Sequence, residues 1–197
     1  QIILSGEASR TATVVVQNQV PYEKLLSLGA NPDMVKKLGF IYPFERENTH
    51  QPQALICTNS DNIEHGEELH FHIAALTEMS AKLMGMDSYE NVSFYPGVKM
   101  DILDELFAKC DYYFDINHES EIVSAVRRAF LNNQLIFAFA ETVHNRDYVM
   151  KEYIYPASEF KRMVSDASLA DEAVLEDGLK KQRDAALAET AERYAQL

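Results

Sequence analysis

The sequence predicts an α/β fold, a Rossmann-like parallel sheet with helices on both faces, followed by a C-terminal helix. Two observations carry this expectation. Between Ala54 and Ala140 short apolar runs alternate with amphipathic runs, the order expected of parallel strands joined by helical crossovers. In addition, Leu135–Ala140 is apolar on both faces, as a strand buried inside a parallel sheet must be.

The elements follow in chain order. The β-branched run Thr13–Gln17 reads as a strand. Pro21 suits the first turn of a short helix that Gly29 would end, and Asn31-Pro32 would open a second one running to Gly39. The polar stretch Glu45–Gln53 reads as a loop leading into a strand over Ala54–Thr58. Then come a helix around Asn62–Leu69, a strand over His70–Ala75, a helix around Glu78–Met84 and a strand over Val92–Tyr95. They are followed by helix Met100–Ala108, strand Asp111–Phe114, helix Glu121–Asn132 and strand Leu135–Ala140. The Glu121–Asn132 helix carries Ile122, Ala125, Val126, Ala129 and Phe130 on one stripe, with Arg127 and Arg128 off it. Arg146–Glu152 and Ser158–Val164 read as further helical turns. The expected organisation is a domain over residues 1–165 and a helical tail over 166–197, opened by a Ser168/Asp171 capping box. The chain starts at Gln1, inside an apparent strand, and the Ser60–Leu69 connection is short for a crossover helix. Both features fit a piece of a longer protein with residues missing near 60–70.

Composition narrows the functional classes. A net charge of −13 opposes nucleic acid and anionic membrane surfaces as partners. No apolar run approaches the ~20 residues of a membrane span. Cys57 and Cys110 lie in apolar strand contexts and read as buried thiols in a reducing compartment. No P-loop, G-x-G-x-x-G or HExxH pattern is present. His70 and His72 share one side of a strand with Glu68 nearby, but a His pair without a clear third ligand is mostly structural.

In open parallel sheets, ligands sit at the loops after the strands. Those loops hold Thr58-Asn59-Ser60-Asp61, His118-Glu119-Ser120 and Glu141-Thr142 with His144. Each has a structural alternative, since Asn, Ser, Asp and Glu are also helix-capping residues.

The order of these elements resembles the C-terminal half of a GT-B glycosyltransferase, notably in Asn91-Val92-Ser93-Phe94-Tyr95-Pro96-Gly97 and Cys110-Asp111. More specifically, three runs resemble the stabilising, non-catalytic subunit of the accessory-Sec O-GlcNAc transferase, which acts on serine-rich repeat adhesins. They are Thr58-Asn59-Ser60-Asp61-Asn62-Ile63-Glu64-His65, Phe71-His72-Ile73-Ala74-Ala75-Leu76-Thr77-Glu78-Met79-Ser80 and Asp115-Ile116-Asn117-His118-Glu119. The resemblance spans about Val14 to Met163. It implies a cytoplasmic pseudo-transferase, with at most peripheral association with the inner face of the membrane. Its implied partners are a catalytic O-GlcNAc transferase subunit and a serine-rich repeat adhesin, and no cofactor is implied. The family's subunit contact lies largely in an N-terminal half not present here. The implied acceptor- or glycan-binding cleft comprises Thr58, Asn59, Ser60, Glu78, His118, Glu119, Ser120, Glu141 and Thr142.

Active members of the wider fold hold the donor diphosphate with cations from the first loop. Here Thr58–Glu64 has no Lys or Arg and carries Asp61 and Glu64, so a diphosphate meets repulsion. Glu119 aligns with the first Glu of the family's donor-sugar pair, but the residue eight positions on is Arg127. The rival reading is an active UDP-sugar-dependent GT-B enzyme drawing cations from the absent half or from Arg127 and Arg128. A third is a Rossmann-like domain with a purely structural role.

Overall fold

The computed structural model describes residues 13–44, 51–76 and 85–196. They fall into two compact units, one of residues up to Pro43 together with those from Arg183, the other Phe44–Gln182.

The larger unit is built on a six-stranded, all-parallel sheet. Its strands are β3 (Gln53–Thr58), β4 (His70–Ala75), β5 (Val92–Tyr95), β6 (Tyr112–Asp115), β7 (Leu135–Phe139) and β8 (Ile154–Tyr155), ordered β5-β4-β3-β6-β7-β8. The order reverses between β3 and β6, which places a crevice at the C-terminal ends of those two strands. Alternate strand residues feed two apolar layers. Ala54, Ile56, Phe71, Ile73, Phe114, Phe137 and Phe139 pack with Phe160, Met163 and Val164 of helix α4 (Phe160–Ser168) and Leu175 and Leu179 of α5 (Glu172–Ala185). On the other face, Tyr113 stacks on Phe107 of α2 (Met100–Lys109), with ring centroids 6.1 Å apart. Ala125, Val126, Ala129 and Phe130 of α3 (Ala125–Leu131) are also fully buried. Helices therefore cover both faces, as the alternating pattern requires.

Gln182 of α5 substitutes for a missing strand. Its Oε1 accepts from Ile136 N at 3.0 Å and its Nε2 donates to Gln134 O at 2.9 Å, satisfying the part of β7 that the two-residue β8 leaves unpaired.

The smaller unit holds β1 (Val14–Val16) and β2 (Val35–Lys37), paired in parallel and joined through α1 (Gln19–Ser27). Val16, Leu25, Ala30 and Val35 form its core. Gly29, with φ +88°, ends the turn after α1 as expected. The final helix is α6 (Ala191–Ala195), capped by Thr190 Oγ1 accepting from Arg193 N.

Several local expectations are corrected. Asn31 does cap a turn, its side chain accepting from Asp33 N, but the turn is a single 3-10 segment, Pro32–Met34. The expected helix to Gly39 is replaced by β2, because pairing with β1 and burial of Val35 outweigh the local helix signal. The expected helix around Asn62–Leu69 does not form. Thr58 and Ser60 side chains accept from backbone N–H groups two residues on, offering the turn an alternative to helix. Ile63 and Leu69 anchor this strap in the core, while Asn91 Nδ2 donates to Gly66 O (2.6 Å) and Leu69 O (2.9 Å). The helix expected from Glu121 starts four residues later, at Ala125, after Val123 and Ser124 at φ +50° and +52°. In the tail, Asp171 rather than Ser168 is the cap, its Oδ1 accepting from Val174 N. The expected boundary at residue 165 falls inside α4. The helix expected around Glu78–Met84 lies outside the described residues.

Candidate functional site

Three loops meet at the C-terminal ends of β3, β6 and β7, and two side chains from the middle loop and its neighbour tie them together. Asn117, only 2% exposed, follows β6. Its Nδ2 donates to Asn59 Oδ1 at 2.8 Å and to Ser120 O at 3.1 Å, with Glu119 O at 3.4 Å. Its Oδ1 lies 3.1 Å from the Thr58 hydroxyl and accepts from Asn59 N at 3.4 Å. The loop after β3 is thereby pinned to the loop after β6.

His144 performs the same task from the β7 side. Its Nδ1 donates to Asp115 Oδ1 at 2.5 Å, its Nε2 donates to Glu119 O at 2.7 Å, and its backbone N–H donates to Asp115 Oδ2 at 2.8 Å. An imidazole that donates from both nitrogens is protonated. Consistently, the hydrogen bond to the Asp115 carboxylate, reinforced by the Glu119 carbonyl and nearby acidic charge, lifts His144 to about 9 against the cost of its burial. Asp115 is only 1% exposed, so this cation and anion neutralise each other within the wall of the crevice.

The sequence-derived candidates divide accordingly. Thr58, Asn59, Ser60, Glu119 and Ser120 gather around Asn117, the last two through their backbone carbonyls. His118 is exposed, its ring 6.2 Å from that of Phe139 at the end of β7. Glu141 turns to a structural task, its Oε2 accepting from Ala157 N at 3.0 Å ahead of α4. Thr142 folds back on β7 through its N–H to Phe139 O, and among the described residues its buried Oγ1 has no partner. Glu78 lies outside the described residues. Asn59, assigned a possible capping role from sequence, caps no helix because none follows it. At α3 the N-cap position is Ser124, which makes no side-chain cap bond, and Glu121 Oε1 accepts from Val126 N at 3.0 Å.

Sequence reasoning missed Asn117, which ties two loops, and Asp115, the partner of His144. Their partners lie 58 and 29 residues away, and only the order of the sheet brings them together. One local signal was available for Asp115, a polar residue ending the otherwise aromatic strand β6.

The site's charge is poorly matched to a diphosphate. Arg128 pairs with Asp104 and lies over the Phe107 ring at 4.5 Å, so it is held on the α2 side. Arg146 donates to Ala140 O. Arg127 is exposed on α3. Beside the β3 strap, a cavity of about 290 Å³ is lined by Glu64, His65, Gly66, Glu67, Glu68, Phe160 and Lys161, so its acidic side chains outnumber its one lysine.

The His pair serves the sheet. His70 Nε2 meets Ser93 Oγ at 2.9 Å, and His72 lies between Tyr95 OH and Gln53 Oε1, each at 3.1 Å. Burial, with Lys109 nearby, keeps both below the ordinary histidine value, His72 at about 4. No group of three or more His, Cys, Asp or Glu among the described residues could hold a metal ion. Cys57 and Cys110 are buried free thiols, and burial pushes Cys57 up to about 12, the wrong direction for a nucleophile. Among the described residues, no helix is long and apolar enough to cross a membrane.

Comparison with known proteins places this geometry. The sequence profile of the GftB/GlyA-F C-terminal domain matches residues 54–182. The UDP-N-acetylglucosamine–peptide N-acetylglucosaminyltransferase stabilizing protein GtfB of Streptococcus agalactiae is 39% identical over 206 aligned residues, covering 100% of this chain and 46% of the relative. GtfB of Streptococcus parasanguinis is 46% identical over 154 residues, 74% of this chain and 35% of its own. In three dimensions the chain matches one in the crystal structure of the GtfA/B complex bound to UDP and GlcNAc, with a TM-score of 0.77 at 35% identity. That match covers 93% of this chain and 44% of the other. The pneumococcal O-GlcNAc transferase GtfA, at 12% identity and a TM-score of 0.51, shares the fold alone. The chain spans about half the length of the curated relatives it matches.

Proposed function

This chain belongs to the GftB/GlyA-F C-terminal domain family, and from that premise we propose that it is a non-catalytic part of a protein O-GlcNAc transferase, binding the acceptor polypeptide and stabilising a catalytic subunit. The observation that carries this reading is the charge balance of the crevice. The loop after β3 supplies hydroxyl, carboxamide and carboxylate groups but no cation. The His144 imidazolium on the β7 side is already neutralised by Asp115. A donor diphosphate therefore lacks its clamp, whereas a neutral peptide or sugar finds hydrogen-bonding groups.

The similarity to GtfB, a stabilizing protein, and to a chain of the GtfA/B complex supports a heteromeric role. The partner under this proposal is a GtfA-type catalytic subunit, and the acceptor is a serine-rich repeat adhesin. The buried free thiols fit a cytoplasmic setting, and association with the inner face of the membrane is at most peripheral. Recognition through hydrogen bonds and aromatic surface predicts weak salt dependence.

The test is fluorescence polarisation of a labelled serine/threonine-rich peptide against the chain and its His118→Ala variant, at low and high salt. Binding that His118→Ala weakens and salt barely changes supports the proposal. Binding untouched by crevice substitutions, or falling steeply with salt, overturns the crevice reading.

A further inference from the structure

Asn59 is an exposed member of the crevice network, and the direction in which its carboxamide faces is set by its neighbours. The chain of constraint begins at Glu119 O and Ser120 O, backbone carbonyls that can only accept. They require the nitrogen, not the oxygen, of the Asn117 carboxamide on their side, at 3.4 and 3.1 Å. The opposite end of the same carboxamide is fixed independently. Asn117 Oδ1 receives Asn59 N–H at 3.4 Å and lies 3.1 Å from the Thr58 hydroxyl. With its nitrogen so placed, Asn117 donates to Asn59 at 2.8 Å, and Asn59 must present its oxygen inward. The Asn59 Nδ2–H₂ group is then left facing away from Asn117. Among the described residues it has no protein acceptor, and Asn59 is solvent-exposed.

We propose that Asn117 is a positioning residue that orients Asn59 as an outward-facing hydrogen-bond donor, making this corner of the crevice selective for an uncharged carbonyl oxygen. This inference rests on the acceptor-binding reading given above and specifies its chemistry. A carboxamide free to rotate offers donor or acceptor with equal ease. One locked by its neighbours offers a donor without an ordering cost at binding. Two sources on the proposed acceptor carry the matching oxygen, the peptide backbone and the N-acetyl group of an attached GlcNAc. Asp61, two residues on in the same loop, disfavours a carboxylate or phosphate at this position.

The isosteric substitution Asn59→Asp tests this directly. The new carboxylate still accepts from Asn117 Nδ2, so the internal bond and the fold persist, but the outward group changes from donor to acceptor. Binding of bare and GlcNAc-modified serine-rich peptides to the full 197-residue chain is measured by fluorescence polarisation, with thermal melting as the fold control. The expected result is about tenfold or greater weakening with Asn59→Asp at an unchanged or raised Tm. Loss with both peptides assigns the carbonyl to the backbone, and loss confined to the modified peptide assigns it to the N-acetyl group. Asn117→Asp places an acceptor against Asn59 Oδ1 but also a carboxylate against Ser120 O and Glu119 O, so weaker binding supports the inference only where the Tm is kept. Unchanged affinity in Asn59→Asp while His118→Ala weakens binding overturns this inference and leaves the acceptor crevice standing. If neither substitution affects binding, or the parent chain binds neither peptide, the crevice reading falls and the inference with it.

Discussion

Raising the pH should dismantle the clamp between the β6 and β7 loops in a measurable window. His144 has an ordinary value near 6.5 when unfolded and about 9 when folded, chiefly because Nδ1 donates to Asp115 Oδ1 at 2.5 Å. The folded state thus holds its proton more tightly than the unfolded state. The associated stabilisation is complete below about pH 6.5 and disappears as the pH climbs through about 9. The difference corresponds to about 3 kcal/mol at most. Asp115 is buried but the outer edge of the His144 ring meets solvent, so screening trims this ceiling. Urea denaturation of the parent chain and His144→Gln at pH 6, 7.5 and 9.5 isolates this contribution, since all other titrating groups are common to both. The stability gap should be largest at pH 6, within a ceiling of about 3 kcal/mol, and most of it should be gone at pH 9.5. Parallel profiles across the range would refute the protonated clamp.

On the acid side the opposite linkage operates. His72 is held neutral, at about 4, by burial, so its contribution is present above pH 6.5 and is lost as the pH falls through about 4. His72→Phe should flatten the acid limb of the stability profile, and an unchanged limb would show that His72 does not govern it. Gly66→Ala should cost about 1–3 kcal/mol, because a Cβ there would lie 2.6 Å from Val164 Cγ1, on a fully buried side chain stiff at χ1. A melting temperature equal to the parent's would mean the strap shifts freely. Gln182→Leu should cost about 2–4 kcal/mol by leaving Ile136 N and Gln134 O unpaired in the core. Denaturant titration measures it, and a neutral effect would mean β7 does not depend on α5 for those bonds.

The strands were legible because burial on two faces leaves an unmistakable apolar run, as in Ala54–Thr58 and Leu135–Ala140. Their alternation with helical stripes made a parallel sheet legible, but not the order of its strands. What local pattern could not supply was decided by tertiary contacts. Val35–Lys37 is a strand because β1 lies beside it, despite the helix-opening Asn31-Pro32. Residues 59–69 form a strap because Thr58, Ser60 and Asn91 satisfy its backbone in place of a helix. The crevice was legible as three loops and their residue types. Its internal wiring was not, because Asn117–Asn59 and His144–Asp115 join residues whose proximity depends on which strands are neighbours.

Under the proposed function, this crevice does not hold a nucleotide-sugar donor. Calorimetric titration of the chain with UDP and UDP-GlcNAc, with and without Mg²⁺, tests it most directly. The account predicts no binding heat at millimolar ligand. Micromolar binding that Arg127→Ala or Arg128→Ala abolishes would contradict it, and would show that those cations rebuild a donor site.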